Sequence, residues 1–312
     1  MLNYTVLSKK PEHFRNFSGL TLQEFNTLNQ TINEKYPVHE QKRLQRPNRK
    51  RNIGAGHPFK QSLTDRLLML LIYYHLYTSS TLLSYLFGTS QSGVLKNIRR
   101  IEPLIREVLP LPRKEYDKVK KIESIAELEE MFPGFTAFLD ATEQEVPRPK
   151  NKRKRKTHYS GKKKKHTVKT QLTVNEKGLI VHKSPHATGS THDYSLFKRS
   201  HPCLPKEVVL GLDLGFQGIL EDYPTFNALL PFKRKSPGRG KRGVKAQSLS
   251  ELQKMFNKLL ASVRVVVEHT NSRVKKFRIF GDEFRNRLKH YDTMTDIVCG
   301  IVNFRISGKL TV

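Results

Sequence analysis

The chain has 312 residues, enough for one or two domains with cores of their own. Its 57 Lys and Arg outnumber 28 Asp and Glu, and the formal charge of +29 favours a polyanion such as nucleic acid as partner, although it does not separate an enzyme from a basic binding protein. Two cysteines are too few for a disulfide framework. The sequence has no signal-peptide pattern, and no apolar run approaches the roughly 20 residues of a membrane helix. We therefore expect an intracellular, cytoplasmic protein without membrane contact.

The first 112 residues have the pattern of a helical region. Apolar residues recur at helical spacing over residues 20–28 and again over residues 63–76, which predicts two amphipathic helices. Between them, residues 42–56 are basic and broken by Gly and Pro, which is typical of a mobile arm.

A helix-turn-helix pattern follows, within residues 60–112. Residues 81–88 read as a short helix ending at Gly88, Ser90 is placed as the N-cap of the next helix, and residues 91–101 form that helix with a basic face. Pro103 should kink or end it. The alternative to DNA recognition is plain packing of a helical hairpin.

The second helix of this pair carries the candidate DNA contacts. If the motif reads DNA, Gln91, Ser92 and Lys96 are placed to meet base edges. Arg99 and Arg100 would favour phosphates.

From residue 134 the pattern changes to strands, after a helical connector over residues 113–133. Residues 135–139, 166–174 and 179–183 predict three strands joined by hairpins, the second alternating as a half-buried strand. A helix from Asp193, an apolar strand over residues 208–212 and a late long helix complete the order. This order predicts a ribonuclease H-like α/β domain over residues 134–312, a mixed sheet flanked by helices, preceded by the all-α helix-turn-helix domain.

Three acids stand out because acids are scarce. Asp140 and Asp213 each end an apolar strand, and the two strands should be neighbours. Glu268 lies on the late helix, whose start at Ser248 and Glu251 reads as a capping box. The alternatives are a turn cap for each Asp and a solvent-facing ion pair for Glu268.

The late helix has two rows of side chains. Arg264, Glu268, Asn271 and Lys275 follow one another at steps of four, three and four along one face. Arg264 and Lys275 flank Glu268 on this face, because eleven residues at 100° each bring the direction back to within about 20°. Beside this face runs a largely apolar stripe of Leu252, Phe256, Leu259, Val263, Val267, Thr270, Val274 and Phe277.

Carboxylates converging from different elements are the ligands that Mg²⁺ and Mn²⁺ prefer. Two such ions can activate a water or a 3′-hydroxyl for phosphoryl displacement. Asp140, Asp213 and Glu268 are therefore candidate catalytic and metal-binding residues. Asp193 is interpreted as an N-cap of its helix or as an auxiliary metal ligand.

Two basic runs interrupt the acid-bearing region. The first contains Lys162, Lys163, Lys164 and Lys165 in a predicted hairpin loop, and the second covers residues 233–245. Such runs are often solvated loops, but their position beside Asp140 predicts phosphate contacts and a steep salt dependence of binding.

Together these motifs resemble those of bacterial insertion-sequence transposases of the DDE superfamily, in the branch shared with PIF/Harbinger elements. The resemblance covers a first acid at a strand end, a basic hairpin, a Gly-Ser-x-His-Asp run ending at Asp193, a second acid and a Tyr-(2)-Arg-(3)-Glu-(6)-Lys signature. Ala261 replaces the Tyr of that signature.

The resemblance implies a transposase that binds double-stranded DNA at the terminal inverted repeats and at the target. It implies metal-dependent strand cleavage and strand transfer with two Mg²⁺, for which Mn²⁺ substitutes. Asp140, Asp213 and Glu268 would hold the metals, and Arg264 and Lys275 would hold phosphates. A homodimer or larger assembly on nucleoid DNA is expected. The alternatives are a catalytically silent DNA-binding relative and a stand-alone structure-specific nuclease.

Overall fold

A computed structural model describes residues 1–45, 48, 50, 52, 55, 58–234 and 248–311. Over this part the chain forms two compact units, one of Met1–Leu111 with Arg273–Val312 and one of Pro112–Ser272. The predicted division at residues 112 and 133 into domains and a connector stays a prediction. The C-terminal segment, however, groups with the helical N-terminal unit and not with the sheet.

In the part of the chain that the structure describes, the first unit begins with six helices. Its central helix is α4, which contacts the other five and is buried all round from Arg66 to Tyr74. The sequence predicted an amphipathic helix here, but neighbours on every side leave it no solvent face. The helices are α1 (Tyr4–Leu7), α2 (Pro11–Ser18), α3 (Leu22–Leu44), α4 (Leu63–Leu76), α5 (Ser80–Phe87) and α6 (Gln91–Val108).

Helix α3 starts from a capping box in which Thr21 and Glu24 exchange side-chain and backbone hydrogen bonds. It continues to Leu44, so the first residues of the predicted basic arm are helical. Most of the rest of that arm, to residue 56, lies outside the described residues.

The helix-turn-helix is confirmed in α5 and α6. Gly88 ends α5 in the left-handed conformation at φ 59°, which glycine adopts without strain. The Ser90 hydroxyl accepts a hydrogen bond from the Gly93 N–H and so caps α6. The helix continues past Pro103 to Val108, so Pro103 does not end it.

The second unit is an α/β fold with a mixed sheet. Strand β1 pairs antiparallel with β3 and parallel with β6, and β6 pairs parallel with β7. Along its other edge β3 pairs in turn with β2, β5 and β4. The strands in the described residues are β1 (Thr136–Glu145), β2 (Tyr159–Ser160), β3 (Lys165–Asn175), β4 (Ile180–Lys183), β5 (Ala187–Thr188), β6 (Val209–Gly211) and β7 (Ala228–Leu229).

Helices flank this sheet, which confirms the predicted ribonuclease H-like arrangement. They are α7 (Pro112–Val119), α8 (Ile125–Met131), α9 (Lys152–His158), α10 (Asp193–Ser200), α11 (Ile219–Asp222) and α12 (Glu251–Lys275). Leu139 and Leu210 of the sheet share a core with Phe197 of α10 and Leu128 of α8. Strand β3 is buried on both faces from Thr167 to Asn175, whereas its alternating sequence predicted one solvated face.

Strand β1 is longer than the sequence predicted. It continues past Asp140 to Glu145 because β3 pairs with it along this whole length. Its parallel partner β6 stops at Gly211, opposite Phe138. Asp140 therefore does not end its strand; it lies just beyond the end of the parallel pairing.

Helix α12 begins differently from its prediction. The capping box is formed by Ser250 and Gln253, two residues later than predicted. The predicted apolar stripe is only half buried. Val267, Val274 and Phe277 pack inside, whereas most of the earlier members are exposed, Leu252 by 77% and Leu259 by 59%.

The last helices are α13 (Arg278–Gly281) and α14 (Tyr291–Ser307), and both belong to the first unit. Helix α14 is buried at most positions from Tyr291 to Phe304 and contacts α6. Within the described residues, no helix is both long and apolar enough to cross a membrane.

Candidate active site

Strand register brings the first two candidate acids together. Phe138 of β1 lies opposite Gly211 of β6 in the parallel ladder. Asp140 and Asp213 each follow two residues later, just beyond this pairing, and the charge of Asp213 acts on the Asp140 carboxyl. Gly211 is needed here because a Cβ at this position would meet the Phe138 ring at 2.7 Å.

The Asp140 carboxyl lies in a poorly hydrated environment. Burial raises its pKa to about 6, although the Ala141 N–H and the positive charge of Arg264 act in the opposite direction. The negative charges of Asp213 and Asp193 add to the rise. A carboxyl held at this pKa in an apolar strand is typical of a functional site, since its ionisation is costly without a cation.

Asp213 also serves its own turn. Its Oδ1 accepts a hydrogen bond of 2.8 Å from the Gly215 N–H, at the start of a short 3-10 turn. Asp213 therefore caps this turn, as the alternative interpretation predicted, and its other carboxylate oxygen could still bind a ligand.

Helix α12 contacts strand β1 at Asp140. The Asn271 amide donates a hydrogen bond of 2.8 Å to Asp140 Oδ2, and the Thr270 hydroxyl donates to the Gly178 carbonyl at the β3–β4 turn. At 100° per residue, Arg264 and Glu268 project within about 60° of Asn271. Glu268 is solvent-exposed on this row, one turn from the residue that contacts Asp140.

The three acids do not form a closed metal cage. Across the described residues, no three His, Cys, Asp or Glu side chains lie close enough to hold a metal ion. The donor set still fits a divalent cation. Asn271 Oδ1 is buried beside Asp140 and has no hydrogen-bond partner among the described residues, and carboxylate and amide oxygens are the ligands of Mg²⁺ and Ca²⁺.

Asp193 is not the N-cap of its helix, contrary to the prediction. His192 occupies that position, and Asp193 is the first residue of α10. Its Oδ1 accepts a hydrogen bond of 2.7 Å from Lys169 Nζ, which also lies 3.6 Å from Glu143 Oε1. The auxiliary metal role stays a prediction.

Close packing explains the glycine of the Gly-Ser-x-His-Asp run that ends at Asp193. A Cβ on Gly189 would lie 2.1 Å from Thr167 Oγ1 and 2.7 Å from the His158 carbonyl oxygen, so only glycine fits. Lys169 also donates to the Thr191 carbonyl at 2.8 Å. This lysine therefore holds the loop that leads into α10.

The first basic run forms the predicted hairpin. Lys162, Lys163, Lys164 and Lys165 lie exposed in and beside the turn between β2 and β3. Lys165 pairs with Glu145 at 2.6 Å. Of the second run, residues 235–245 lie outside the described residues.

The candidate DNA contacts of α6 are accessible. Gln91, Ser92, Lys96 and Arg99 are exposed, and Arg100 is half-buried with its guanidinium 5.2 Å from the centre of the Phe59 ring. The Gln91 amide donates to Ser80 Oγ at 2.9 Å. Their contacts with DNA stay predictions, as do those of Arg264 and Lys275.

Two residues of this site were missed by the sequence predictions. Asn271 lies on the same helix face as Arg264 and Glu268, but no role was predicted for it. Its spacing from Glu268 was the signal that could have identified it. Lys169 had no signal in the sequence, because its pairing with Glu143 and Asp193 depends on strand register and on the loop before α10.

Two family matches place the chain in a class of endonucleases that carry a helix-turn-helix. Residues 60–111 match the family described as helix-turn-helix of DDE superfamily endonuclease. Residues 139–303, more than half of the chain, match the family described as DDE superfamily endonuclease. The chain belongs to this DDE superfamily endonuclease family. The more specific PIF/Harbinger branch stays a prediction.

A full-length relative accompanies the family match. The chain is 27% identical over 299 residues to the protein named "Probable transposase for insertion sequence element IS702" from Microchaete diplosiphon, and the match covers 95% of each chain. No solved structure matches the chain significantly.

Proposed function

We propose that the chain is the transposase of an insertion sequence, which binds the ends of its element and cuts and rejoins DNA. The observation that carries this proposal is the pairing of Phe138 with Gly211, two residues before Asp140 and Asp213, and it is supported by the hydrogen bond from Asn271 of α12 to Asp140. The full-length similarity to a transposase named for an insertion sequence supports it.

In this proposal Asp140, Asp213 and Glu268 hold two divalent metal ions, Mg²⁺ or in its place Mn²⁺. Bound there, the ions would activate a water or a 3′-hydroxyl and stabilise the leaving oxygen. Asn271 orients Asp140 for this task. Glu268 lies on α12 three residues before Asn271 and would complete one of the two metal sites.

The cations of α12 would hold the DNA. Arg264, which acts electrostatically on Asp140, would bind a phosphate close to the acids, and Lys275 would bind the strand further along. Attack of water at the phosphorus breaks the bond to the 3′ oxygen and frees a 3′-hydroxyl. That hydroxyl then attacks a target phosphodiester, so the number of phosphodiester bonds is preserved in the joining step.

The remaining chain would bind the duplex. Helix α6 would read the element ends through Gln91, Ser92 and Lys96, with Arg99 and Arg100 on phosphates. Lys162, Lys163, Lys164 and Lys165 would hold DNA near the acids. A homodimer or larger assembly would bring the two ends together on nucleoid DNA.

A strand-transfer assay tests the proposal. Labelled duplexes that end in the repeats flanking the gene are incubated with protein, Mg²⁺ and a target plasmid. Labelled joint molecules are the expected product. Cleavage without joining would indicate a stand-alone nuclease, and specific binding without cleavage would indicate a catalytically silent relative; either result contradicts the proposal.

A further inference from the structure

A basic cavity lies beside the β2–β3 hairpin and takes no part in the site described above. Its volume is about 620 Å³, within the range of pockets that hold one small organic ligand. The residues come from the segment after β1, from α9 and from both hairpin strands. They are Arg148, Lys152, Arg155, Lys156, Tyr159 and His166.

The cavity wall is strongly cationic. Lys152 lies three residues before Arg155 and four before Lys156, so the three share one face of the short helix α9. Like charges three or four residues apart repel one another and destabilise a helix. Arg148 adds a fourth positive charge. None of these four forms an ion pair with an acid of the described residues. A polyanionic ligand would supply the missing negative charge.

Aromatic rings complete the wall. Tyr159 pairs with His166 across the β2–β3 ladder, and their ring centres lie 5.7 Å apart at 70°. The Tyr159 side chain is 43% exposed, which leaves a ring face available beside the four cations. Cations around an accessible aromatic ring are the combination that binds the phosphate and base of a nucleotide.

We propose that this cavity binds one unpaired nucleotide of a DNA strand, with the base stacked on Tyr159 and its phosphates on Arg148 and the α9 cations. A base within a duplex is already stacked on both sides, so an exposed ring in the wall of the cavity favours an unpaired base. The inference rests on the proposed function only for the choice of DNA as ligand.

A tryptophan in place of Tyr159 gives the most direct test. The chain contains no Trp, so Tyr159→Trp would introduce its sole tryptophan fluorophore. Stacking predicts quenching of its emission by a single-stranded dT oligonucleotide and little change with a blunt duplex of the same length. Ile125→Trp, at a position 75% exposed on α8, is the matched control and should respond to neither.

Binding measured by fluorescence anisotropy without metal gives a second test. Tyr159→Ala should weaken binding of the dT oligonucleotide about tenfold, whereas Tyr159→Phe, which keeps the ring, should bind like the wild type. The double variant K152E/K156E should lose more affinity than K177E/K206E, which makes the same charge change at exposed sites elsewhere in the unit.

The outcomes separate the cavity from the catalytic proposal. Unquenched emission from the Tyr159→Trp variant, together with a Tyr159→Ala variant that binds within about twofold of the wild type, would overturn the nucleotide assignment. The K152E/K156E variant could instead lose duplex and single-strand binding equally while Tyr159→Ala binds normally. That result would show that the cavity contacts only phosphates, and it would also overturn the nucleotide assignment. Failure of strand transfer, by contrast, leaves these metal-free results unchanged.

Discussion

Asp140 is the residue whose surroundings say most about the chemistry of this chain. Its carboxyl is buried in a strand, hydrogen-bonded by Asn271 and close to the charges of Asp213 and Arg264. A residue kept only for stability would gain from being neutral and apolar at this position. The cost of the charge is explained if a cation is bound there when the protein acts.

The cost of ionising the Asp140 carboxyl predicts how the stability of the protein depends on pH. The pKa of Asp140 is about 6 in the fold against an ordinary value of 3.8, so ionisation opposes folding. The penalty is absent below about pH 4, grows as the pH rises to about 6 and is constant above. We expect Asp140→Asn to be more stable than the wild type at about pH 7.5 without metal, by up to about 3 kcal/mol, and equal to it at about pH 4.

Chemical denaturation at both pH values, in the presence of a chelator, measures this difference. Glu207→Gln, an exposed acid in the same unit, is the control and should show no pH-dependent gain. Saturating Mg²⁺ should stabilise the wild type and not Asp140→Asn. An Asp140→Asn variant less stable than the wild type at the higher pH would contradict the desolvation argument.

Asn271 is expected to act as a positioning residue. Its amide holds Asp140 Oδ2, and its own oxygen is buried without a described partner. Asn271→Ala should raise the Mg²⁺ concentration for half-maximal cleavage about tenfold, as is usual when a partner of a metal ligand is removed. Ser272→Ala, on the exposed neighbouring position, should leave the metal dependence unchanged, and equal effects of the two variants would exclude the role.

At the scale of elements, Lys169 links two strands and a helix. It neutralises Glu143 of β1 and Asp193 of α10, and the side chains of Lys169 and Glu143 are 9% and 7% exposed. Lys169→Met leaves these acids without their cation. We expect a loss of about 3 kcal/mol in the free energy of unfolding, measured by denaturation, with the exposed Lys177→Met near the wild type.

The Lys169–Asp193 ion pair distinguishes two possible roles of Asp193, an anchor of the loop before α10 and the predicted auxiliary metal ligand. If Asp193 anchors the loop, Asp193→Asn lowers stability and leaves residual cleavage in proportion to folded protein. If it ligates a metal, the variant keeps its melting temperature and loses cleavage. A Lys169→Met variant with unchanged stability would remove the basis for the anchoring role.

Helix α6 carries a prediction about DNA binding. The double variant K96A/R99A should lower the slope of log affinity against log salt by about 1.8, since each phosphate contact contributes about 0.9. Gln91→Ala should instead relax the preference at one base pair, provided that its amide leaves Ser80 on binding. Equal salt slopes for K96A/R99A and the wild type would place the phosphate contacts elsewhere.

The sequence predicted elements well where the signal is local. Gly88 and Ser90 mark the turn of the helix-turn-helix, and Asn175 with Gly178 marks the β3–β4 hairpin. Features that depend on distant partners could not be predicted. Strand β1 runs past Asp140 because β3 pairs with it, Asp193 is held by Lys169 from another strand, and half of the α12 stripe is exposed. The role of the three acids stays a prediction, and the Asn271 contact with Asp140 was not predicted.

For the molecule as a whole, the charge of +29 is the dominant property. The described acids of the candidate site stand out against this background because they are few and are placed on adjoining elements. DNA would neutralise the surface cations and bring phosphates to the acids, so binding and catalysis should respond separately to substitution. Removing one acid should leave most of the electrostatic attraction intact.

Metal-dependent nicking of a supercoiled plasmid that carries the element ends tests the central claim most directly. Asp140→Asn, Asp213→Asn and Glu268→Gln are compared with Glu207→Gln, and end binding is measured on the same preparations. The account predicts that each of the three loses nicking by more than about 100-fold while binding the ends within about threefold of the wild type. Nicking that survives Asp213→Asn, or that falls only as far as end binding falls, would contradict it.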